Sequence, residues 1–173
     1  MRAPLERCYW VEPGRLLAGP YPGFDEATAR RRLSGLLDEG VDLFVDLTEE
    51  GESLAAPYEA LLAAEAAARG RTVAHRRMPI VDMGVPTASR MAEILDLLDG
   101  ELAAGRTAYL HCLGGIGRTG TVVGCYLVRH GLHGDAALGR LAALVEGTGR
   151  RDLRSPETEE QHDFVRAWAE PER

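Results

Sequence analysis

Apolar positions along this chain come in two patterns that alternate. Short dense runs bounded by Gly, Pro or acidic residues read as buried strands, and longer stretches in which apolar residues return every three or four positions read as helices. In order, the pattern predicts a strand at Arg15-Leu16-Leu17-Ala18, a helix from Asp25 to Glu39, and a strand from Val41 to Leu47 closed by the polar loop Thr48-Glu49-Glu50-Gly51-Glu52. An alanine-rich helix from Pro57 to Arg69, a strand from Thr72 to Arg77 and a helix from Thr87 to about Ala104 come next. A strand at Thr107-Ala108-Tyr109-Leu110 then leads into an apolar helix from Arg118 to Val128. Helices from Gly134 to Glu146, with Leu138, Leu141 and Leu144 on one face, and from Glu157 to Glu170 complete the series. Strand and helix in alternation predict an α/β fold, with a mostly parallel sheet of four to five strands flanked by helices on both faces. No second core or linker interrupts the 173 residues, so residues 1–173 are expected to form a single domain. In such sheets the loops after the strands share one crevice, which would gather Asp46, Asp82 and Cys112, while Glu49 and Glu50 read as solvated loop residues.

Charge narrows the partners. A net charge of -7 and 6% aromatic residues argue against a nucleic-acid partner. Every basic side chain is Arg; the chain has no Lys. The runs Arg30-Arg31-Arg32, Arg76-Arg77 and Arg150-Arg151 with Arg154 read as solvated faces, the last two being better placed to guide a phosphorylated substrate. Three cysteines, Cys8, Cys112 and Cys125, make no paired framework, and no Cys/His spacing suggests a metal. They fit a reducing cytoplasm. Cys125 falls inside an apolar helix as a small core residue and Cys8 is expected at the periphery; either is a candidate partner for an oxidised Cys112. The opening MRAPLERCYWVEPG lacks the apolar run of a secretion signal, and no segment has membrane-spanning length without a charge, so a soluble chain with no membrane partner is expected. Oligomeric state is not legible.

The densest chemistry lies in HCLGGIGRTG, His111 to Gly120. It follows a strand and opens a helix, with Gly114, Gly115 and Gly117 free to take positive φ and turn successive N–H groups inward as an anion-binding nest. The helix N-terminus and the forked guanidinium of Arg118 add positive potential. Cys112 sits in that field, which favours the thiolate, and the same donors would cradle the oxygens of a phosphoryl group in line with sulfur. A second candidate is the loop Met78-Pro79-Ile80-Val81-Asp82-Met83-Gly84-Val85-Pro86, which sets Asp82 between prolines after a strand. Its alternative role, capping the next helix, suits Thr87 or Ser89 better.

His-Cys-x-x-Gly-x-x-Arg-Thr resembles the signature of the cysteine-based protein tyrosine phosphatase superfamily, in its compact dual-specificity branch with kinase-associated and bacterial members. The resemblance implies the phosphotyrosine protein phosphatase fold and a metal-independent, cofactor-free phosphomonoesterase working through a cysteinyl-phosphate intermediate on phosphotyrosine and on phosphoserine or phosphothreonine in proteins. It implies Cys112 as nucleophile, Arg118 with the loop Leu113, Gly114, Gly115, Ile116 and Gly117 as phosphate ligands, and Asp82, in a Pro-x-x-Asp-x-x-x-Pro loop, as general acid. Thr119 would hydrogen-bond the Cys112 sulfur, and His111 would brace the loop from behind and help set the thiol's acidity. The family's water-positioning glutamine is matched only by Gln161 in Ser155-Pro156-Glu157-Thr158-Glu159-Glu160-Gln161; Glu157 stands where the tyrosine-specific enzymes have their first glutamine. Glu157 and Gln161 read equally as solvated helix residues. The loop lacks the lysines of phosphoinositide-directed relatives, and the short chain implies a shallow cleft. A catalytically silent phosphate-binding module, a phosphatase of a soluble phosphometabolite and a sulfur-transfer or arsenate-type redox enzyme stay as alternatives.

Overall fold

The computed structural model describes residues 5–52, 57–149 and 153–170. Strands β1 (Tyr9–Glu12) and β2 (Leu16–Gly19) are followed by α1 (Glu26–Asp38), β3 (Leu43–Asp46), α2 (Glu59–Ala67), β4 (Ala74–Arg77) and α3 (Ala88–Ala103). Then come β5 (Ala108–His111), α4 (Gly117–Arg129), α5 (Gly134–Glu146) and α6 (Glu159–Arg166). The sheet has five strands in the order β1-β2-β5-β3-β4, antiparallel only between β1 and β2, as the alternating pattern predicts for an α/β fold.

Side-chain alternation sends successive residues to opposite cores. Ala108 and Leu110 of β5, Leu16 and Ala18 of β2 and Leu43 and Val45 of β3 face a core shared with α3, α4, α5 and α6. Tyr109, Leu17 and Phe44 face a second core under α1 and α2. Register then does something that matters for the site. Gly19 and Asp46 both pair with His111, and Arg77 pairs with Asp46, so the last residues of four parallel strands form one row at the carboxyl edge.

Strand β1 was absent from the pattern-based expectation. Tyr9-Trp10-Val11-Glu12 abuts Pro13-Gly14 and has no alternation of apolar and polar positions, yet both of its faces are covered, Tyr9 and Val11 by one core and Trp10 by the other. Cys8 is carried inward with it. It is 1% exposed, its Sγ 3.6 Å from the Tyr109 hydroxyl, which corrects its expected place at the periphery. Burial pushes its thiol up, as it does for Cys125 in α4.

Helix starts follow capping chemistry. Asp25 accepts from Thr28 N at 2.9 Å, and Thr87, rather than Asp82, caps α3 by accepting from Arg90 N at 3.2 Å. The last helix begins two residues later than its sequence suggests. Thr158 Oγ1 accepts from Gln161 N at 3.2 Å while Gln161 Oε1 accepts from Thr158 N at 3.1 Å, a reciprocal pair that sets the N-terminus at Glu159.

Candidate active site

Cys112 follows β5 directly and is 3% exposed. The Gly115 N–H donates to its Sγ at 3.3 Å. Of the three loop glycines only Gly115 takes positive φ (73°), so the expectation that all three would use that freedom is corrected. A Cβ at Gly115 would also lie 2.5 Å from the carbonyl carbon of Gly19, so the turn and the close approach to β2 both require glycine there. Gly117 begins α4, and a Cβ on it would stand 3.1 Å from Gln161 Nε2 and from Glu157 Oε2. Two flanking segments pin the loop: Tyr21 N donates to Leu113 O at 3.0 Å, and Ser155 Oγ to Ile116 O at 2.8 Å.

Arg118, one residue into α4, is 2% exposed. Its guanidinium meets Glu52 bidentately, Nη1 to Oε2 at 2.6 Å and Nη2 to Oε1 at 2.5 Å, and donates from Nη1 to Ile80 O at 3.1 Å. Asp82 Oδ1 lies 2.9 Å from Nη2. The cradle, the Asp82 loop and the polar loop after β3 therefore meet at one guanidinium. Burial works against charge on Glu52, but the Arg118 bonds outweigh it and hold the carboxyl below its ordinary range. Sequence reasoning missed Glu52. It noted Glu49 and Glu50, which are exposed and line a polar cleft of about 350 Å³ with Tyr21, Thr48 and Arg77. Only the position of Glu52 one turn beyond the strand, behind Gly51 with φ of 76°, hinted at a loop that folds back.

Asp82 itself is half exposed at the tip of a tight turn, where Gly84 N donates to Val81 O at 3.1 Å and Met83 takes φ of 61°. Val81 and Met83 flank it as exposed apolar residues. Gln161 Nε2 donates to Gly84 O at 3.1 Å, so α6 holds this turn from the other side. Gln161 is fully buried, with Oε1 accepting from Glu157 N and Thr158 N; of the two readings, that of a solvated helix residue does not hold for it. Glu157 is exposed. Thr119 Oγ1 is buried with no hydrogen-bond partner, so the sulfur's bond comes from Gly115 rather than from Thr119.

On the opposite side of the sheet, behind the loop, lies a buried polar row. His111 Nδ1 is 3.3 Å from Cys112 O, and Nε2 is 2.7 Å from the Tyr58 hydroxyl. A carbonyl only accepts, so Nδ1 carries the proton and Nε2 accepts from Tyr58. Burial pushes the His111 ring down to about 4, against the pull of Asp46, so it is neutral near pH 7. Its contact with the loop is the Nδ1–H to the Cys112 carbonyl, made without a full positive charge. Asp46 is fully buried, accepts from Thr48 N at 2.9 Å and Thr48 Oγ1 at 2.7 Å, and lies 3.5 Å from both His75 Nε2 and Arg77 Nη2. Burial opposes its charge, yet His75, His111 and the Thr48 bonds win and hold the carboxyl well below the usual range. Asp46 thus belongs to this row, while Asp82 and Cys112 meet at the cradle.

The arginine runs separate in the same way. Arg77 is consumed by Glu59 and Asp46, Arg30 by Glu26 and Glu65, and Arg154 by Glu159. Arg150 and Arg151 lie outside the described residues.

A thiol in a strand-to-helix anion cradle, with an arginine and an aspartate closing on it, on a five-stranded mostly parallel sheet, defines the cysteine-dependent phosphatase class. The chain belongs to the Tc-R-P family, described as a polymorphic toxin system, DSP-PTPase phosphatase, which it matches over residues 21–132. It is 32% identical over 118 residues to the putative tyrosine phosphatase 067L of Invertebrate iridescent virus 3, covering 65% of this chain and 42% of that protein. Among solved structures, Tk-PTP in its active form is similar at 26% identity and a TM-score of 0.62, over 92% of this chain and 93% of that one. TpbA of P. aeruginosa, solved with pTyr, shares the fold at 18% identity and a TM-score of 0.69, over 96% and 87%. The chain spans about half the length, or less, of the curated relatives it matches. Among the described residues no helix is long and apolar enough to cross a membrane.

Proposed function

We propose that the chain is a metal-independent phosphomonoesterase of dual-specificity type that acts on phosphorylated protein through a cysteinyl-phosphate intermediate. The observation that carries this reading is the buried guanidinium of Arg118, fixed by Glu52 and set 2.9 Å from Asp82, in the helix that opens directly after the Cys112 loop. In the first step Cys112 Sγ attacks phosphorus. An S–P bond forms as the ester P–O bond breaks, and Asp82 gives its proton to the departing oxygen. Arg118 and the backbone N–H groups from Leu113 to Gly117 hold the equatorial oxygens as charge shifts onto them. In the second step water attacks phosphorus, Asp82 takes its proton, and the sulfur leaves toward the Thr119 hydroxyl. Gln161, which ties the Asp82 turn to α6, has a second Nε2–H that we assign to that water.

The finer parts of the reading have their own support. The reading of residues 1–173 as one domain is supported by the Tyr126 hydroxyl of α4, which donates to Glu12 of β1 at 2.6 Å and ties the first strand to the helix after the loop. Three unpaired cysteines support a reducing, cytoplasmic setting. The absence of lysine from the loop supports a protein rather than a phosphoinositide substrate.

The test is hydrolysis of para-nitrophenyl phosphate in the presence of a chelator. Wild type should turn over, and Cys112→Ser should fall to background; activity that survives the substitution, or that the chelator abolishes, overturns the reading. Asp82→Asn should slow esters with poor leaving groups by about 10²–10⁴-fold and para-nitrophenyl phosphate far less. Equal slowing of both would remove Asp82 as the acid.

A further inference from the structure

Beside the signature loop, on the side away from Asp82, lies a pocket of about 350 Å³ lined by Arg7, Arg32, Tyr21, Phe24, Leu113 and the exposed Gly114. It is a basic spot on an acidic chain. No ion pair engages either arginine among the described residues, in contrast to Arg30, Arg77 and Arg154. The Nε of Arg7 is buried without a hydrogen-bond partner, a costly state unless an acceptor completes it. Arg7 also takes φ of 69°, a left-handed conformation uncommon for a residue with a Cβ, in the turn closed by Cys8 N donating to Leu5 O at 3.1 Å. The one carboxylate in the lining, Asp25, is committed to capping α1 through Thr28 N. The wall shared with the cradle is covalent: Leu113 and Gly114 directly follow Cys112, and Tyr21 N–H is bonded to Leu113 O.

We propose that this pocket is a second anion subsite, in which Arg7 and Arg32 take a carboxylate or phosphate side chain that flanks the phosphorylated residue of a peptide substrate. Guanidinium forks suit either oxyanion. A peptide is favoured over a small phosphometabolite because the rim is apolar and open: Phe24 is 62% exposed on this pocket, and Val81 and Met83 stand exposed around Asp82. Leu113 and Gly114 belong both to the cradle and to the lining of this pocket, so the residue that flanks a phosphorylated one in the cradle meets the pocket first. The inference names the substrate preference of the site proposed above and rests on that reading for its cradle.

The experiment compares three peptides with one phosphotyrosine each: neutral flanks, a glutamate beside the phosphotyrosine, and a second phosphorylated residue there. Binding is measured by fluorescence anisotropy to Cys112→Ser, which reads the subsite whether or not the chain turns over, and kcat/KM is measured with wild type. The anionic peptides should bind about tenfold more tightly than the neutral one at low salt, an advantage that high salt erodes. Arg7→Ala and Arg32→Ala should each erase the advantage through KM, while para-nitrophenyl phosphate hydrolysis stays at the wild-type rate. Arg32→Glu should turn the preference toward a lysine-flanked peptide. The glutamate and phosphate arms distinguish a general acidic subsite from a phosphate-selective one. Equal binding of all three peptides to Cys112→Ser, or a preference that survives both arginine substitutions, overturns the subsite. Failure of wild type to hydrolyse any ester, with the binding preference intact, would overturn the phosphatase reading and leave the subsite standing.

Discussion

The two sides of the sheet's carboxyl edge make the same loop do different work. On the side of α4, Glu52 and Asp82 come from segments far from the Cys112 loop in sequence and meet at the guanidinium of Arg118. On the side of α2, Asp46, Arg77 and His111 come from the strand row itself, with His75 of β4 beside Asp46 and the Tyr58 hydroxyl on His111. The first group holds a buried guanidinium between Glu52 and the half-exposed Asp82 and keeps Thr119 Oγ1 uncommitted; the second buries a carboxylate among donors and a neutral imidazole. The proposed chemistry thus sits on a loop whose far side is held by buried hydrogen bonds. Substitutions in the row should cost mainly stability, and substitutions around Arg118 mainly turnover.

The largest effect expected from that contrast is Asp46→Ala. Removing a fully buried carboxylate strands the Thr48 donors and the charge of Arg77, at about 3–5 kcal/mol of stability. Urea denaturation would show it as a lower midpoint, with kcat of the folded enzyme falling much less. A midpoint unchanged by this substitution would break the comparison.

Next comes acid. The folded-state pKa of His111 is about 4, below the ordinary 6.5, so between those values the unfolded chain binds a proton that the folded chain refuses. Stability from this group is fully present above pH 6.5 and drains away as pH falls toward 4, by on the order of 3 kcal/mol in all. Thermal unfolding followed from pH 7 to pH 4.5 should therefore decline more steeply in wild type than in His111→Asn. Parallel curves would remove His111 from the row's energetics. The lowered carboxyls of Asp46 and Glu52 add to the decline only at lower pH.

The smallest expected effect sharpens the other side. Glu52→Gln keeps shape but loses the charged fork on Arg118, and a guanidinium that shifts by about 1 Å should cost about 10²-fold in kcat/KM. Stability should change less than in Asp46→Ala, because the Glu52 side chain is 14% exposed and can rehydrate. Loss of fold with no loss of specific activity would place Glu52 in the wrong half of the comparison.

These residues also mark how far sequence carries. The cradle was legible because its donors lie in ten consecutive positions, and a strand–glycine–helix string has few other uses. Asp82 was legible because prolines isolate it after a strand, and Thr87 duly took the capping duty that competed for it. The structure makes Gln161 a fully bonded tie between α6 and the Asp82 turn, because the reciprocal cap with Thr158 orients its amide and its Nε2 reaches Gly84 O. Glu52 was hidden, since only its place behind Gly51 separates it from Glu49 and Glu50. Cys8 and β1 were misjudged because the burial of an edge strand depends on what packs over it.

From the sequence alone came the alternation of strands and helices, which implies a parallel α/β sheet, and the anion cradle around a thiol, since the alternation is written in local periodicity and the cradle in ten consecutive residues. The tertiary structure alone decided which carboxylate holds Arg118, that His111 is neutral, and that Arg7 and Arg32 rather than Arg76 and Arg77 flank the loop. Those outcomes depend on strand order and register, which set residues 19, 46, 77 and 111 in one row, and on burial, which sets the cost of each charge.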